Sequence, residues 1–152
     1  MYVTPILPTD DLWEKTMAYA KSCSWEAGAF LAKQMQEGRF KTWRRVFVTV
    51  TEQDEIIGFC TLTKTDVVPN VTYTPYIGFV FVDERFRGQR LSEKMIQGVM
   101  AYASEIGFLE VYLTSDHVDF YEKYGFEKID EQVDYWGRKQ GICRKDCSVR
   151  SK

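Results

Sequence analysis

Residues Val80 to Ser92, read as VFVDERFRGQRLS, place Arg85, Arg87 and Arg90 around Gly88 where a β-type run gives way to an amphipathic helix. A turn at a helix start gathers backbone N–H groups that have no intrahelical acceptor, together with the positive end of the helix dipole. Such a point holds anions, phosphate above all. The same arginines also fit a solvated turn without a ligand, the ordinary place of a charge run. With 20 Lys and Arg against 22 Asp and Glu, the formal charge is -2, so any anion site must be local and no basic field gathers nucleic acid.

The elements that must position this turn follow from apolar periodicity. Tyr76 to Val82 reads as a strand. Leu91, Met95, Ile96, Val99, Met100, Ala103 and Ile106 recur at helical spacing until Gly107, which predicts a helix over 91–106. Upstream, Tyr2 to Ile6 reads as a short strand, and Asp10 or Asp11 caps a helix to about Ser22 with Leu12, Met17 and Ala20 toward the core. Trp25 to Gln36 reads as a second helix closed near Gly38. Arg45 to Thr51 alternates and pairs, across the polar turn 52–55, with Ile56 to Leu62 as an antiparallel hairpin. A looser segment spans Asp66 to Pro75. Downstream come a strand at Glu110 to Leu113, a short helix from Val118 to Tyr124 stopped by Gly125, and strands at Phe126 to Ile129 and Ile142 to Cys147. The order β, α, α, β, β, β, α, β, α, β, β predicts an α/β (α+β) fold: a mixed sheet with helices on both faces, in which strand 76–82, helix 91–106 and the next strand form a right-handed βαβ unit.

A chain of 152 residues without repeat or linker is expected to form one domain over 1–152, able to bury about 70% of its unfolded surface. The longest apolar stretches, such as Ile77 to Val82, fall far short of the roughly 20 residues a membrane helix needs. Without a basic-then-apolar leader the expected location is cytoplasmic, where the Asn70-Val71-Thr72 sequon meets no glycosylating enzyme. Cys23, Cys60, Cys143 and Cys147 are scattered, and His117 is the single histidine, so neither a metal cluster nor a disulfide framework is expected. Cys143 and Cys147 read as packing residues, and His117 as structural or solvent-facing. Trp13, Trp25, Trp43 and Trp136 fit either an aromatic acceptor pocket or the core.

Tyr76 to Ile129 resembles the Gcn5-related N-acetyltransferase (GNAT) family in two linked places. The family's hydrophobic-x-Val-x-x-x-(Tyr/Phe)-Arg-Gly strand and its (Gln/Arg)-x-x-Gly-x-(Gly/Ala) loop align without a gap on Val80 to Ser92. Some thirty residues on, the family's Phe-Tyr-x-x-x-Gly-Phe stands as Phe120-Tyr121-Glu122-Lys123-Tyr124-Gly125-Phe126. Three positions depart from the pattern: Arg90 replaces the second loop glycine, Ser92 the final small residue, and Thr114 an asparagine. Arg90 brings a Cβ where main chain normally approaches pyrophosphate, so either its side chain points outward or the loop is held differently. The resemblance implies a GNAT fold, with a mostly antiparallel sheet of about six to seven strands around a central βαβ acyl-CoA site.

It also implies the chemistry. N–H groups of Gln89, Arg90, Leu91 and Ser92, after Gly88, would bind the diphosphate of acetyl-CoA, with Arg87 and Arg90 adding charge. The pantetheine arm would pair with main chain at Val80, Phe81 and Val82, where one N–H also faces the thioester oxygen, and Thr114 would offer a hydroxyl on the cofactor side. Tyr121 takes the proton-donor position: a phenol, ordinarily near pKa 10, can protonate a thiolate whose conjugate acid lies near 8.5. Tyr124 reads as packing. No residue stands out as the base that deprotonates the amine; Glu26, Asp66 and Glu84 are all open, and Tyr73 and Tyr76 could line the acceptor side. The expected activity is N-acetyl transfer from acetyl-CoA to a primary amine, small molecule or peptide, with no metal, no nucleic acid and no membrane partner. A homodimer through the C-terminal strands is an arrangement similar proteins use. A non-catalytic acyl-CoA sensor is the alternative. A nucleotide-binding α/β domain is a further rival, although no Gly-x-Gly or Gly-Lys-Ser/Thr is present.

Overall fold

Val46 to Val50 are buried at every position, because this strand is covered on both faces and lies between two others. The computed structural model, which describes residues 1–117 and 119–147, places it as β2 in a seven-stranded sheet of order β1-β2-β3-β4-β5-β7-β6. The elements are β1 (Tyr2–Ile6), α1 (Asp11–Ser22), α2 (Ala27–Gln36), β2 (Arg45–Val50), β3 (Ile56–Thr63), β4 (Tyr76–Val82), α3 (Leu91–Glu105), β5 (Glu110–Ser115), β6 (Glu127–Val133) and β7 (Lys139–Asp146). Short 3₁₀ turns occupy Glu84–Phe86 and Tyr121–Tyr124. The β1–β2, β2–β3, β5–β7 and β6–β7 pairs are antiparallel, whereas β4 and β5 run parallel at Tyr76 and Tyr112. The chain divides into two compact units, Met1–Leu62 with Phe79–Val99, and Thr63–Gly78 with Met100–Lys152.

In the first unit, Ile6, Trp13, Leu31, Val48, Phe59 and Phe81 belong to one core. The β2 residues expected to alternate do not, since Thr49 is as buried as its valine neighbours. Helix α1 turns Trp13, Thr16 and Ala20 fully inward, an i, i+3, i+7 stripe, with Leu12 and Met17 flanking it half-buried. Asp10 holds the N-cap position, but its carboxylate accepts from Leu7 N at 2.6 Å instead of from the helix. Helix α2 begins at Ala27, so Trp25 stands ahead of it. Gly28 touches α1 at main-chain distance: a Cβ there would lie 2.2 Å from Ala20 O.

In the second unit, Val68, Tyr76, Tyr112 and Ile142 form the buried cluster. β6 runs to Val133, beyond the strand expected at 126–129, and β7 begins at Lys139, ahead of the expected Ile142. Their ends are polar and largely exposed, so no apolar run marks them. The hairpin is closed by Asp134, whose Oδ1 accepts from Trp136 N and Arg138 N, both at 2.9 Å. Val118, the expected start of the short helix, lies outside the described residues; the described turn begins at Tyr121. Among the described residues no helix is long and apolar enough to cross a membrane.

The Gly28 contact yields a stability prediction. Gly28→Ala forces a methyl group against a carbonyl oxygen and must separate α1 from α2, which is expected to destabilise the chain by about 3 kcal/mol or more. Urea unfolding followed by circular dichroism measures it; a loss below about 1 kcal/mol would show that the helices can part cheaply.

Candidate active site

The glycine-containing turn of the first unit is built from β4 outward. Within the strand Phe79 takes φ +50°, a left-handed conformation rare for an aromatic residue. Its ring meets Trp25 at 6.2 Å and Phe30 at 6.2 Å, while Trp25 stacks on Phe81 at 6.0 Å with 5° between the planes. Val80 and Val82 are half-buried and Phe81 is buried. Aromatic packing thus holds the strand at Phe79 and again at Phe81.

Asp83 ends β4. Its carboxylate accepts from Tyr19 Oη at 2.8 Å, Arg85 N at 3.1 Å and Arg85 Nε at 2.9 Å, and its own N–H donates to Ile57 O at 2.8 Å. The Arg85 hydrogen bonds hold this carboxyl well below the usual carboxylate range, while burial and the Asp83 bond push the Tyr19 phenol up. Arg85 also pairs with Glu55 at 2.9 Å. Arg87 Nε donates to Val82 O at 2.9 Å, and its guanidinium lies 5.4 Å from the Phe81 centroid, so this side chain folds back over the end of β4.

Gly88 and Arg90 then adopt left-handed φ values of +83° and +57°, with Gln89 between them and α3 starting at Leu91. Alternating handedness of this kind aims successive N–H groups toward one point, the geometry of an anion nest. Gly88 takes that conformation without steric cost. Arg90 takes it with a side chain, which reaches Glu93 at 2.7 Å and is 58% exposed. Of the two ways of fitting a side chain here, the outward one is observed. Leu91 is buried and Ser92 half-buried in the first turn of α3.

The second unit carries Tyr121 in its 3₁₀ turn, half-buried, with ring contacts to Phe120 at 4.8 Å and Phe126 at 6.2 Å. Gly125 closes the turn at φ +92°, and Lys145 Nζ donates to Tyr124 O at 2.6 Å. Tyr124 is buried, a packing residue as expected, and the His117 side chain is 74% exposed.

In the same unit the structure gathers three of the acceptor candidates, Asp66, Tyr73 and Tyr76. Asp66 Oδ2 accepts from Thr114 Oγ1 at 3.0 Å and Oδ1 from Val67 N at 2.9 Å. Burial outweighs both bonds and pushes the Asp66 carboxyl up to about 6. Tyr76 is 1% exposed, and its hydroxyl has no hydrogen-bond partner among the described residues. Burial, then the charge of Asp66, raises that phenol far above its ordinary value. Tyr73 donates to Asp130 Oδ2 at 3.0 Å and lies tilted on Tyr112 at 5.1 Å, which in turn faces Tyr76 at 6.0 Å. The other two candidates, Glu26 and Glu84, are exposed residues of the first unit.

Sequence reasoning missed Tyr112 and Asp130. Tyr112 sits two residues before Thr114 on β5 and shares its face, a period-2 signal that could have found it. Asp130 lies in a strand without an apolar pattern and gave none.

These features sit in a chain that matches the family described as "Acetyltransferase (GNAT) family" over residues 9–126, and the protein belongs to that family. Among solved structures, an aminoglycoside 6'-N-acetyltransferase from Enterococcus faecium matches at 16% identity and TM-score 0.73, covering 100% of both chains. YhbS from Escherichia coli, a GNAT family N-acetyltransferase in complex with CoA, matches at 21% identity and TM-score 0.71, over 97% of this chain and 81% of its own. A spermidine N-acetyltransferase chimera from Vibrio cholerae and hSSAT matches at 12% identity and TM-score 0.69, over 97% of each chain. At these identities the likeness is one of fold. No curated protein matches the chain in sequence.

Because the folded state holds the Asp66 proton more tightly than an unfolded chain, that contribution to stability is full below about pH 4 and is lost as pH rises through about 6. Asp66→Asn keeps the shape and removes the charge. The variant should gain about 2–3 kcal/mol on the native chain between pH 4 and pH 7.5. Urea midpoints across that range measure the gain, and parallel curves would refute the burial.

Proposed function

We propose that the protein transfers an acetyl group from acetyl-CoA to a primary amine, by direct attack of the amine with both substrates bound. The observation that carries this reading is the alternating turn Gly88–Arg90, tied down by Asp83 and opening α3, in a member of the acetyltransferase (GNAT) family. In this reading the N–H groups of Gln89 to Ser92 hold the diphosphate of the cosubstrate. Main chain of Val80 to Val82 pairs with the pantetheine amides, Phe79 having turned β4 out of regular ladder geometry just before them.

Tyr121 gives its proton to the departing sulfur. Its ring is held edge-on by Phe120 and Phe126, so the hydroxyl has a fixed direction from which to do so. None of the cysteines is assigned a covalent role: burial pushes Cys60, Cys143 and Cys147 up, which disfavours the thiolate a nucleophile needs. A small-molecule amine suits the acceptor side, since the neighbouring enzymes include an aminoglycoside 6'-N-acetyltransferase and a spermidine N-acetyltransferase chimera.

Two measurements test the proposal together. CoA should raise the melting temperature of the full chain where ATP and NAD do not, and acetyl-CoA should release thiol in the presence of an amine panel. Tyr121→Phe should keep the CoA shift while losing about 10²–10⁴-fold in kcat. An unchanged kcat removes Tyr121 from the mechanism, and a chain indifferent to CoA is not this enzyme.

A further inference from the structure

Asp66 and Tyr76 are each missing something in the second unit. Among the described residues, Asp66 forms no ion pair; its donors are a hydroxyl and a main-chain N–H. Asp66 is half-buried, and a carboxylate partly withdrawn from water is ordinarily paired with a cation. The Tyr76 hydroxyl, on which the Asp66 charge acts, lies inside a residue 1% exposed and has no hydrogen-bond partner among the described residues, whereas buried hydroxyls are normally satisfied. The two unmet requirements are complementary to one chemical group. An ammonium supplies positive charge for the carboxylate and N–H donors for both oxygens.

The surroundings favour the same group. Tyr112 lies ring to ring with Tyr73 at 5.1 Å and with Tyr76 at 6.0 Å, so the Tyr76 phenol belongs to an aromatic cluster, and π-faces attract cations. Asp130 adds a second negative charge that acts on Tyr76, and its hydrogen bonds from Gln132, Glu131 N and Tyr73 keep it ionised. A hydrophobic or anionic ligand would leave Asp66 uncompensated.

We propose that Asp66 and Tyr76 form the receptor for the ammonium group of the acceptor, and that Asp66 removes the proton the amine must lose before it can attack. This assignment rests on the acetyl-transfer reading and selects Asp66 over Glu26 and Glu84 as the base. In the step, an N–H bond of the ammonium breaks, an O–H bond forms on an Asp66 oxygen, and the electron pair stays on nitrogen for attack on the thioester carbon. As the carbon–sulfur bond breaks, Tyr121 gives its proton to the departing sulfur, the second N–H proton restores the Tyr121 phenol, and Asp66 returns its proton to solvent, so one proton leaves per turnover. Thr114 keeps the carboxylate oriented through its 3.0 Å bond and is a positioning residue.

Carbon-13 NMR of the aspartate carboxyls of the full chain tests the receptor without CoA. Excess n-butylamine or spermidine should lower the Asp66 titration midpoint from near 6 by at least about one pH unit. A midpoint indifferent to both amines overturns the proposal. Besides Asp66, the titratable groups that act on Tyr76 are Tyr73 and Tyr112, both raised, and Asp130, which is lowered; Tyr112 in turn lies beside Glu110, which pairs with Arg144 at 3.0 Å.

Kinetics test the proton transfer. Asp66→Asn should cut kcat/KM for the better of these amines by about 10²–10⁴-fold at pH 7.5 and erase the acidic limb of the pH profile, with Asp66→Glu recovering part of the rate. The CoA-induced thermal shift of Asp66→Asn should match that of the native chain, which separates the two readings: a chain blind to CoA defeats the acetyl-transfer proposal, whereas normal CoA binding with an intact acidic limb in Asp66→Asn defeats this one.

Discussion

Asp83 accepts hydrogen bonds from Tyr19, from Arg85 N and from Arg85 Nε, and sends its own N–H to Ile57 O, so one residue joins α1, β3 and the end of β4 within the first unit. Four polar groups are satisfied at a single corner. The turn that follows departs from a fixed point, and Gly88 and Arg90 keep their alternating handedness because the chain entering them cannot drift. Charge-assisted bonds of this type are short and roughly twice as strong as neutral ones. They resist acid as well, since the depressed Asp83 carboxyl keeps its stabilising charge until pH falls well below the ordinary aspartate range.

The aromatic stack of the first unit serves a different end. A left-handed residue inside a strand costs on the order of 1–3 kcal/mol and persists only where its surroundings hold it. Phe79 is held by Trp25 and Phe30, both of which remain partly exposed. Exposed aromatic area and local backbone strain occur together here.

Asp66 shows the opposite economy to Asp83. Asp83 gains more from its partners than burial removes, and Asp66 loses more to burial than its partners return. A carboxylate kept at such a disadvantage, beside an unsatisfied phenol, detracts from stability. On the receptor proposed for the acceptor, that loss is a trade of stability for function.

Local pattern carried much of this architecture. Strand Tyr76–Val82 has the residues read from its β-branched and aromatic run, α3 ends at Glu105, one residue short of the 91–106 read from helical spacing, and the Gly88 turn and the Gly125 stop are chain-local features. Polar edges were invisible for the matching reason: the ends of β6 and β7 bury too little to leave an apolar signature, and Trp25 could not be told from a helical residue until α2 was seen to start at Ala27. The residues of Val80 to Ser92 and Tyr121 were legible because their spacing along the chain is itself the motif. Which carboxylate lies partly withdrawn from water was not, since Asp66 meets Thr114 only after the chain folds back to pair β4 with β5. Sequence order determines which groups can be neighbours on one strand or one helical turn; desolvation, and with it the charge state of Asp66, is set by atoms that only tertiary packing brings near.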